Sequence, residues 1–545
     1  MKNKRNSHFN DKTLDDLEQE LVKQAVETIG AKIGAKKTND PKMKDIIAIV
    51  ERFIKKHELV CYGGTAINNI LPELAQFYDK KTEIPDYDFY SPKALEHAKD
   101  LADEFYENGF SEVEAKSGMH HGTYKVFVNF VGIADITQLD PTLFKNIRAD
   151  AIKVDGIPYA PPNLLRMGMH LELSRPEGDV SRWEKVSKRL ALLNKHHPLK
   201  AEGCTPNKLM KPFQTPTKQQ PQFKKSPTAD EIDESRPNAD EPVEVRMFRV
   251  VRNAFIDEDL VFFGGYAISH YARHLPKHDK ALFAQIPHFD VLSVDPEASA
   301  AKVKERLGDN DFTGIVVTKH SGIGEIVPEH YEIAVNNVSI AFIYKPVACH
   351  NYNVIQVGKR RVRIASTDTM LSLYLAMIYT DKPYYDVTRI LCMCKQLYDI
   401  QQQNRLKQTG LLRRFGITCY GKQDTLDDIK AEKAQKYQEL ERDDPVYEEW
   451  FLKYSPMEYF EHTYDVKKHK LTVKRSPNVA KSPARTPART PARTPARTPA
   501  RTPARTPART HTPKKSVKLS PQKTKKKKTK KAKSNAFKQI FKLIS

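Results

Sequence analysis

Two aspartates, Asp86 and Asp88, open the segment Asp86-Tyr87-Asp88-Phe89-Tyr90. On a strand, residues two apart point to one face. Two carboxylates so placed repel unless a cation lies between them. Hard oxygen ligands at this spacing suit Mg²⁺ bound together with a nucleoside triphosphate. The other reading is a pair of solvated acids on an edge strand. A third acid, Asp135, lies in the apolar run 126–136, which reads as one strand buried on both faces. A carboxylate there requires a partner or a metal. Upstream, Leu59-Val60-Cys61-Tyr62 reads as a strand ending in Gly63-Gly64-Thr65, with a helix expected from about Ala66. Glycines let a phosphate approach the backbone and a helix N-terminus favours negative charge, although a plain turn has the same signature. Lys185 and Arg189 lie four apart on a helix expected to begin near Asp179. They share one face, either reaching for a triphosphate or merely solvated.

The elements that must position these groups occur twice. Residues 40–64 read DPKMKDIIAIVERFIKKHELVCYGG and residues 241–265 read EPVEVRMFRVVRNAFIDEDLVFFGG, at a constant offset of 201. Each contains an acid-Pro start, an amphipathic helix, a short apolar strand and a Gly-Gly turn. Further on, 84–89 answers to 286–291, 124–136 to 331–343 and 179–182 to 386–389. Four blocks in one order mark an internal repeat. The expected layout is an N-terminal helical segment (1–39) with Thr13 and Asp16 as its N-cap pair, a first domain (40–200), a linker or long loop (201–240), a second domain (241–400), a helical extension (401–465) and a basic tail (466–545). Helices alternate with strands in each copy, so the fold class is α/β or α+β with a mixed sheet.

The second copy acts as an internal control on the first. It keeps Gly264 and Gly265 but has Tyr266 for Thr65, His288 for Asp86 and Phe342 for Asp135; of the acids only Asp290 remains. A phenylalanine cannot ligate a metal, so this copy is expected to be degenerate and catalytically dead. Features shared by both copies, such as Asp179/Asp386 and Arg182/Arg389, read as ion pairs or caps that serve the fold. Trp183 is either core or a stacking platform.

The turn Gly63-Gly64-Thr65, the pair Asp86/Asp88 and the third acid Asp135, in this order, resemble the nucleotidyltransferase superfamily that includes DNA polymerase beta and the poly(A) polymerases. Within it, CYGGTAINNILP, PDYDFYSP and SRPEGDVSRWEKVSKRLALLN are most similar to poly(A) polymerase catalytic subunits of the large cytoplasmic DNA viruses, mimivirus- and poxvirus-like. The resemblance covers roughly 40–400 and is strongest in the first copy; the stretch 401–545 adds nothing to it. It implies tandem polymerase-beta-like domains and two Mg²⁺ (or Mn²⁺) ions. Asp86 and Asp88 would hold the ion that carries the triphosphate, and all three acids the second. Gly63, Gly64 and Thr65 would form the nucleotide-binding turn, with Lys185 and Arg189 as further candidates from their shared helix face. It also implies ATP as donor, RNA 3′ ends as acceptor, template-free extension, and either a homodimer or a separate processivity subunit. A nucleotidyltransferase acting on a small molecule or a tRNA end, and a non-catalytic RNA-binding scaffold, are the competing functions.

Composition bounds the rest. The 545 residues carry a formal charge of +22, but 466–545 hold 26 Lys and Arg and no acid, which leaves 64 basic against 68 acidic groups elsewhere. The excess positive charge therefore belongs to the tail. There, Ser/Thr-Pro-Ala-Arg repeats seven times from Ser482 to Arg509, followed by a lysine-rich run, 523–533, and an apolar segment of helical spacing, 535–544. The repeats predict an extended, disordered chain, and the lysines a salt-sensitive polyanion tether, a localisation signal or a solubility tail. The repeated Thr-Pro units are possible phosphorylation sites that would cancel this charge. The apolar segment would bind a partner or a membrane surface. Six scattered cysteines without a CxxC pair argue for a reducing compartment and against a disulfide framework or a thiolate zinc site. No apolar signal region and no membrane-length run occur, which points to the cytoplasm, as in a viral factory, or to a virion assembled there.

Overall fold

Asp40 caps the helix Pro41–His57 by accepting from the Lys42 N–H, with proline at the first helical position. Ile46, Ile49, Val50, Phe53 and Ile54 form its buried face. The helix stops where Glu58 turns left-handed (φ 48°), and the chain enters strand β1 (Val60–Tyr62). The helix Val243–Asp257 repeats the device, with Asp259 left-handed (φ 57°) before the next apolar strand. The computed structural model describes residues 13–79, 81–204, 226–234, 241–275, 280, 283–324 and 326–458. The basic tail and most of the expected linker lie outside the described residues. Within the linker, Ala229–Asp233 forms a short helix with a Thr228/Glu231 capping box. At the other end, Thr13 and Asp16 form the expected capping box of the helix Leu14–Thr38.

The first half continues through β2 (Tyr87–Ser91), β3 (Val113–Ser117), β4 (Thr123–Val128), β5 (Val131–Gln138), β6 (Ile152–Val154) and β7 (Ile157–Tyr159). The second half has β8 (Val261–Phe263), β9 (Phe289–Leu292), β10 (Ile315–His320), β11 (His330–Val335), β12 (Val338–Tyr344), β13 (His350–Val357) and β14 (Arg360–Ala365). Two short strands follow, β15 (Cys419–Tyr420) and β16 (Lys453–Tyr454). The sheets run β16-β3-β4-β5-β2-β1-β7-β6 and β10-β11-β12-β9-β8-β14-β13-β15. Apart from β15 and β16, each strand of one sheet has its counterpart at the same place in the other. Even the parallel pairs match, β2/β5 and β1/β7 against β9/β12 and β8/β14. The fold is thus mixed α/β, with two structurally similar sheet-containing halves.

Two helices join the halves. Pro162–Leu173 buries Leu164, Leu165 and Leu173, and every residue of Thr367–Met377 is buried. Between them Asp368 accepts from His170 Nδ1 at 2.8 Å and from Arg414 at 2.8 and 2.9 Å. Both acid and imidazole are wholly inaccessible, so the hydrogen bond between them and the Arg414 charge on Asp368 make their burial tolerable. No helix of the described residues is long and apolar enough to cross a membrane.

The structure corrects several expectations. The run 126–136 is two antiparallel strands, not one: Asn129 and Phe130, both left-handed (φ 50° and 63°), turn β4 into β5, and Asn336 and Asn337 do the same in the second half. That geometry is the two-residue hairpin turn matched to strand twist. β5 alternates in burial beyond its first residues and is not buried on both faces. The helix after β1 begins at Gly63, not near Ala66, because the glycine's positive φ makes the turn within one residue. The extension is not purely helical: β15 adds to β13 and β16 to β3, capping one edge of each sheet. Two disulfides, Cys204–Cys392 and Cys349–Cys419, run against the expectation of no disulfide framework. Their partners lie 188 and 70 residues apart, and pairing of β15 with β13 brings Cys419 beside Cys349.

Candidate active site

Strand register sets two of the three acids side by side. Asp88 of β2 lies opposite Tyr62 of β1 on one side and opposite Asp135 of β5 on the other. Asp86 immediately precedes β2, and Thr65 Oγ1 donates to its carbonyl at 2.7 Å, which ties this end of β2 to the helix Gly63–Ile70. That helix has no side-chain cap at Tyr62, so its first-turn N–H groups face the same end of the sheet uncapped by a side chain. Gly63 is left-handed (φ 74°), and a Cβ there would lie 2.6 Å from Asp88 Oδ2. Glycine is thus required twice over, by its dihedral and by the close carboxylate.

Asp86 is exposed, while Asp88 and Asp135 are half-buried. Burial, then the neighbouring Asp86 and Asp135, push Asp88 up to about 7, against the opposing charges of Lys125 and Arg182. Burial and Asp135 also raise Asp86, with Lys125 opposing. The cluster is short of positive charge, and its donors are hard carboxylate oxygens. Both properties fit Mg²⁺ or Mn²⁺. Lys125, which lies opposite Asp135 in the β4–β5 register, forms an ion pair with it. Among the described residues, one group of three possible ligands has all its donor atoms within 4.8 Å of one another: Glu177, Cys349 and Cys419. The two sulfurs are joined as a disulfide, so neither is a thiolate ligand in this state. Asp86, Asp88 and Asp135 are not gathered to that spacing; Asp135 is held by Lys125 instead.

Two cavities flank the Gly63–Ile70 helix. One of about 650 Å³ is lined by Thr65, Asn68, Asn69, Tyr78, Asp86 and Tyr159, among others. A smaller one of about 240 Å³ includes Tyr62, Gly63, Gly64, Glu172, Arg182 and Arg189 in its wall. Arg189 donates to Tyr78 Oη at 2.6 Å, with its guanidinium 4.7 Å from the centre of the Phe77 ring. A Cβ on Gly64 would lie 3.0 Å from Arg189 Nη1, so this arginine sits directly beside the glycine turn. Lys185 is exposed on the same helix, Trp183–His196, and is absent from both cavity walls. Asp179 accepts from the Ser181 N–H as a cap, in line with its expected role in the fold. Arg182 pairs with Glu172 at 2.9 Å and lines the smaller cavity. Trp183 is half-buried and donates to the Glu172 carbonyl. Sequence reading passed over Lys125 and assigned Arg182 to the fold alone.

The second half lacks the carboxylate set. Phe342 lies opposite Asp290 in register, where Asp135 faces Asp88. His288 pairs with Asp290 at 3.4 Å and its ring meets Phe342 edge-on. Tyr266, in the place of Thr65, donates instead to Asp233 at 2.7 Å.

Residues 48–179, which contain the glycine turn and all three aspartates, match the model of the family described as "Poly(A) polymerase catalytic subunit". The chain is 31% identical over 191 residues to a relative from Acanthamoeba polyphaga mimivirus, covering 33% of this chain and 32% of that protein. It is 31% identical over 190 residues to one from African swine fever virus (isolate Tick/Malawi/Lil 20-1/1983), covering 34% and 40%. Both are described as poly(A) polymerase catalytic subunits, and the matches span only a third to two fifths of their length. In fold, the chain is similar to the crystal structure of the Megavirus polyadenylate synthase (TM-score 0.67, 19% identity, 87% of this chain and 92% of that one). Residues 48–179 are thus similar in sequence to poly(A) polymerase catalytic subunits of large DNA viruses, and the fold of the chain is similar to that of the Megavirus polyadenylate synthase.

Proposed function

We propose that this protein adds AMP from ATP to the 3′ ends of RNA without a template, as in mRNA polyadenylation. The observation that carries this reading is the row of Asp86, Asp88 and Asp135 at the mouth of a glycine-opened helix, with no such row in the second half. Asp86, Asp88 and Asp135 would hold two Mg²⁺ or Mn²⁺ ions, which supply charge neutralisation at the triphosphate and an acidified 3′-hydroxyl. The first-turn N–H groups of the helix, at Gly63, Gly64 and Thr65, donate to phosphate oxygens, and Arg189 adds a fixed guanidinium beside them. Lys185, exposed one turn before Arg189, meets the outer phosphates. The hydroxyl attacks the α-phosphorus in line and pyrophosphate leaves, so the protein's part is positioning and charge compensation.

The domain layout set out above is proposed with it: a catalytic domain over 40–200 and a degenerate, inactive copy over 241–400. The second copy offers surface for RNA or for a homodimer, unless a processivity subunit takes that role, and the basic tail tethers RNA. Removing the second copy should weaken RNA binding or change the oligomeric state. A cytoplasmic viral factory, or the virion, is where such an enzyme would act.

Incubation of the protein with an RNA primer, Mg²⁺ or Mn²⁺ and each nucleoside triphosphate in turn tests the proposal. Long ladders with ATP alone support it. A single addition points to a small-molecule or tRNA-end enzyme. Extension that is identical in wild type and in an Asp86→Ala, Asp88→Ala double variant would falsify the assigned site and favour a binding scaffold.

A further inference from the structure

Lys125 stands where a bound cation would be useful. It lies directly opposite Asp135 across the β4–β5 pair, and Asp135 lies directly opposite Asp88 across the β5–β2 pair. Side chains opposite one another leave the same face of a sheet, so the ammonium projects onto the face that carries the acids. Its Nζ bonds to Asp135 Oδ2, and its charge also acts on Asp86 and Asp88. The pair is reachable by solvent, with the two side chains 41% and 28% exposed, so it can open without disturbing the core.

The second half shows what happens to this position without the third acid. The residues matching Lys125 and Asp135 are Glu332 and Phe342, and they hold the same register across β11 and β12. Glu332 is bonded to His320 Nε2 at 2.8 Å and to the Ser339 hydroxyl. The acid and the base facing it are therefore both absent, and the charge at the base position is reversed.

We propose that Lys125 is a built-in competitor of the divalent cation, pairing with Asp135 in the metal-free protein and yielding to a cation that arrives with a triphosphate. The inference rests on reading the aspartates as metal ligands. A protonated lysine donates hydrogen bonds and offers no lone pair to a metal, so it and a cation contend for the same oxygens of Asp135. A cation arriving alone must break an ion pair with nothing gained for the ammonium. One arriving with a triphosphate gives the released ammonium phosphate oxygens to meet. Cation binding and nucleotide binding are thereby coupled, each strengthening the other by the same factor.

Direct Mn²⁺ titration of the full-length protein, read by the electron paramagnetic resonance signal of free Mn²⁺, tests this with and without a non-hydrolysable ATP analogue. Lys125→Met should bind Mn²⁺ alone roughly two- to fivefold more tightly than wild type, the scale of a partly exposed ion pair. The enhancement by nucleotide should shrink by the same factor, while Lys125→Arg keeps wild-type behaviour. Thermal melting supplies a second readout: Mn²⁺ should raise the melting temperature of Lys125→Met more than that of wild type. Unchanged or weaker Mn²⁺ binding by folded Lys125→Met and Lys125→Gln overturns the inference while leaving the metal site standing. No Mn²⁺ binding by wild type either alone or with the analogue, or binding unaffected by Asp86→Asn with Asp88→Asn, overturns the metal site and the inference with it.

Discussion

Gly63 and Asp88 stand so close that a methyl group on the glycine would lie 2.6 Å from the carboxylate, and Gly264 and Asp290 repeat the approach at 1.9 Å. In the second half, with the other two acids gone, this pair remains. Packing of the strand end against the turn accounts for Asp290 without any chemistry.

Gly63→Ala is expected to fold with a loss of about 1–2 kcal/mol for its left-handed backbone. Displacement of Asp88 should lower primer extension roughly 10²-fold. Gly264→Ala should lose stability without that loss of extension. Thermal melts and extension assays on both variants separate the two effects.

Asp88 holds its proton up to about 7, above the ordinary carboxylate value, because of burial and the adjacent acids. The folded state thus binds this proton more tightly than the unfolded chain. The associated stability is present at low pH and is lost as pH rises through about 7. Metal-free Asp88→Asn should therefore be more stable than wild type at pH 8, by about 1–3 kcal/mol in urea unfolding. Extension should fall by roughly 10³-fold or more. A variant less stable than wild type would show that Asp88 is structurally required.

Arg189, fixed by Tyr78 and stacked against Phe77, should matter more than exposed Lys185. Losing a charge-assisted bond to phosphate corresponds to roughly a 10- to 100-fold rise in KM for ATP in Arg189→Met. The effect of Lys185→Met should be smaller. Steady-state kinetics at varied ATP would reveal the reverse order if the assignment is wrong.

Acid should loosen the junction between the halves. Burial lowers the pKa of His170, and that of His350 to about 4. Burial likewise takes His270 to about 3 and His330 to about 4. Each depressed value means that stability is complete above the unfolded histidine value of about 6.5 and is lost as pH falls towards the folded one. Every such histidine adds up to about 1.4 kcal/mol of loss per pH unit in that window. Asp368, held below the carboxylate range by Arg414 and His170 against its burial, adds further loss at lower pH. Denaturation midpoints between pH 7 and 4 test this. Asp368→Asn, which strands Arg414, should cost about 3–5 kcal/mol.

Much of this architecture was legible in the repeat. The offset of 201 aligned β1 with β8 and the glycine turns with each other, and Phe342 stood in the place of Asp135. Other features depend on register or on distant chain. The Asn129–Phe130 turn is hidden because Phe130 is an unusual residue for a left-handed position, so the hairpin read as one long strand. Lys125 looks like any polar residue on a half-exposed strand; its charge reversal to Glu332 was the one signal available. Arg182 was assigned to the fold because Arg389 matches it, yet the two have different surroundings: Arg389 is buried and Arg182 is exposed beside a cavity. The cysteine partners carried no local spacing at all.

The strand β16 covers the outer edge of β3 at Ala115 and Lys116, yet it is made of residues 453 and 454. During translation the first sheet must therefore wait, with that edge open, until the ribosome has copied the whole second half. An unpaired edge is a template for another chain, and neighbouring ribosomes on one message hold identical nascent chains at hand. The part of that hazard which β16 removes lies in this interval of synthesis.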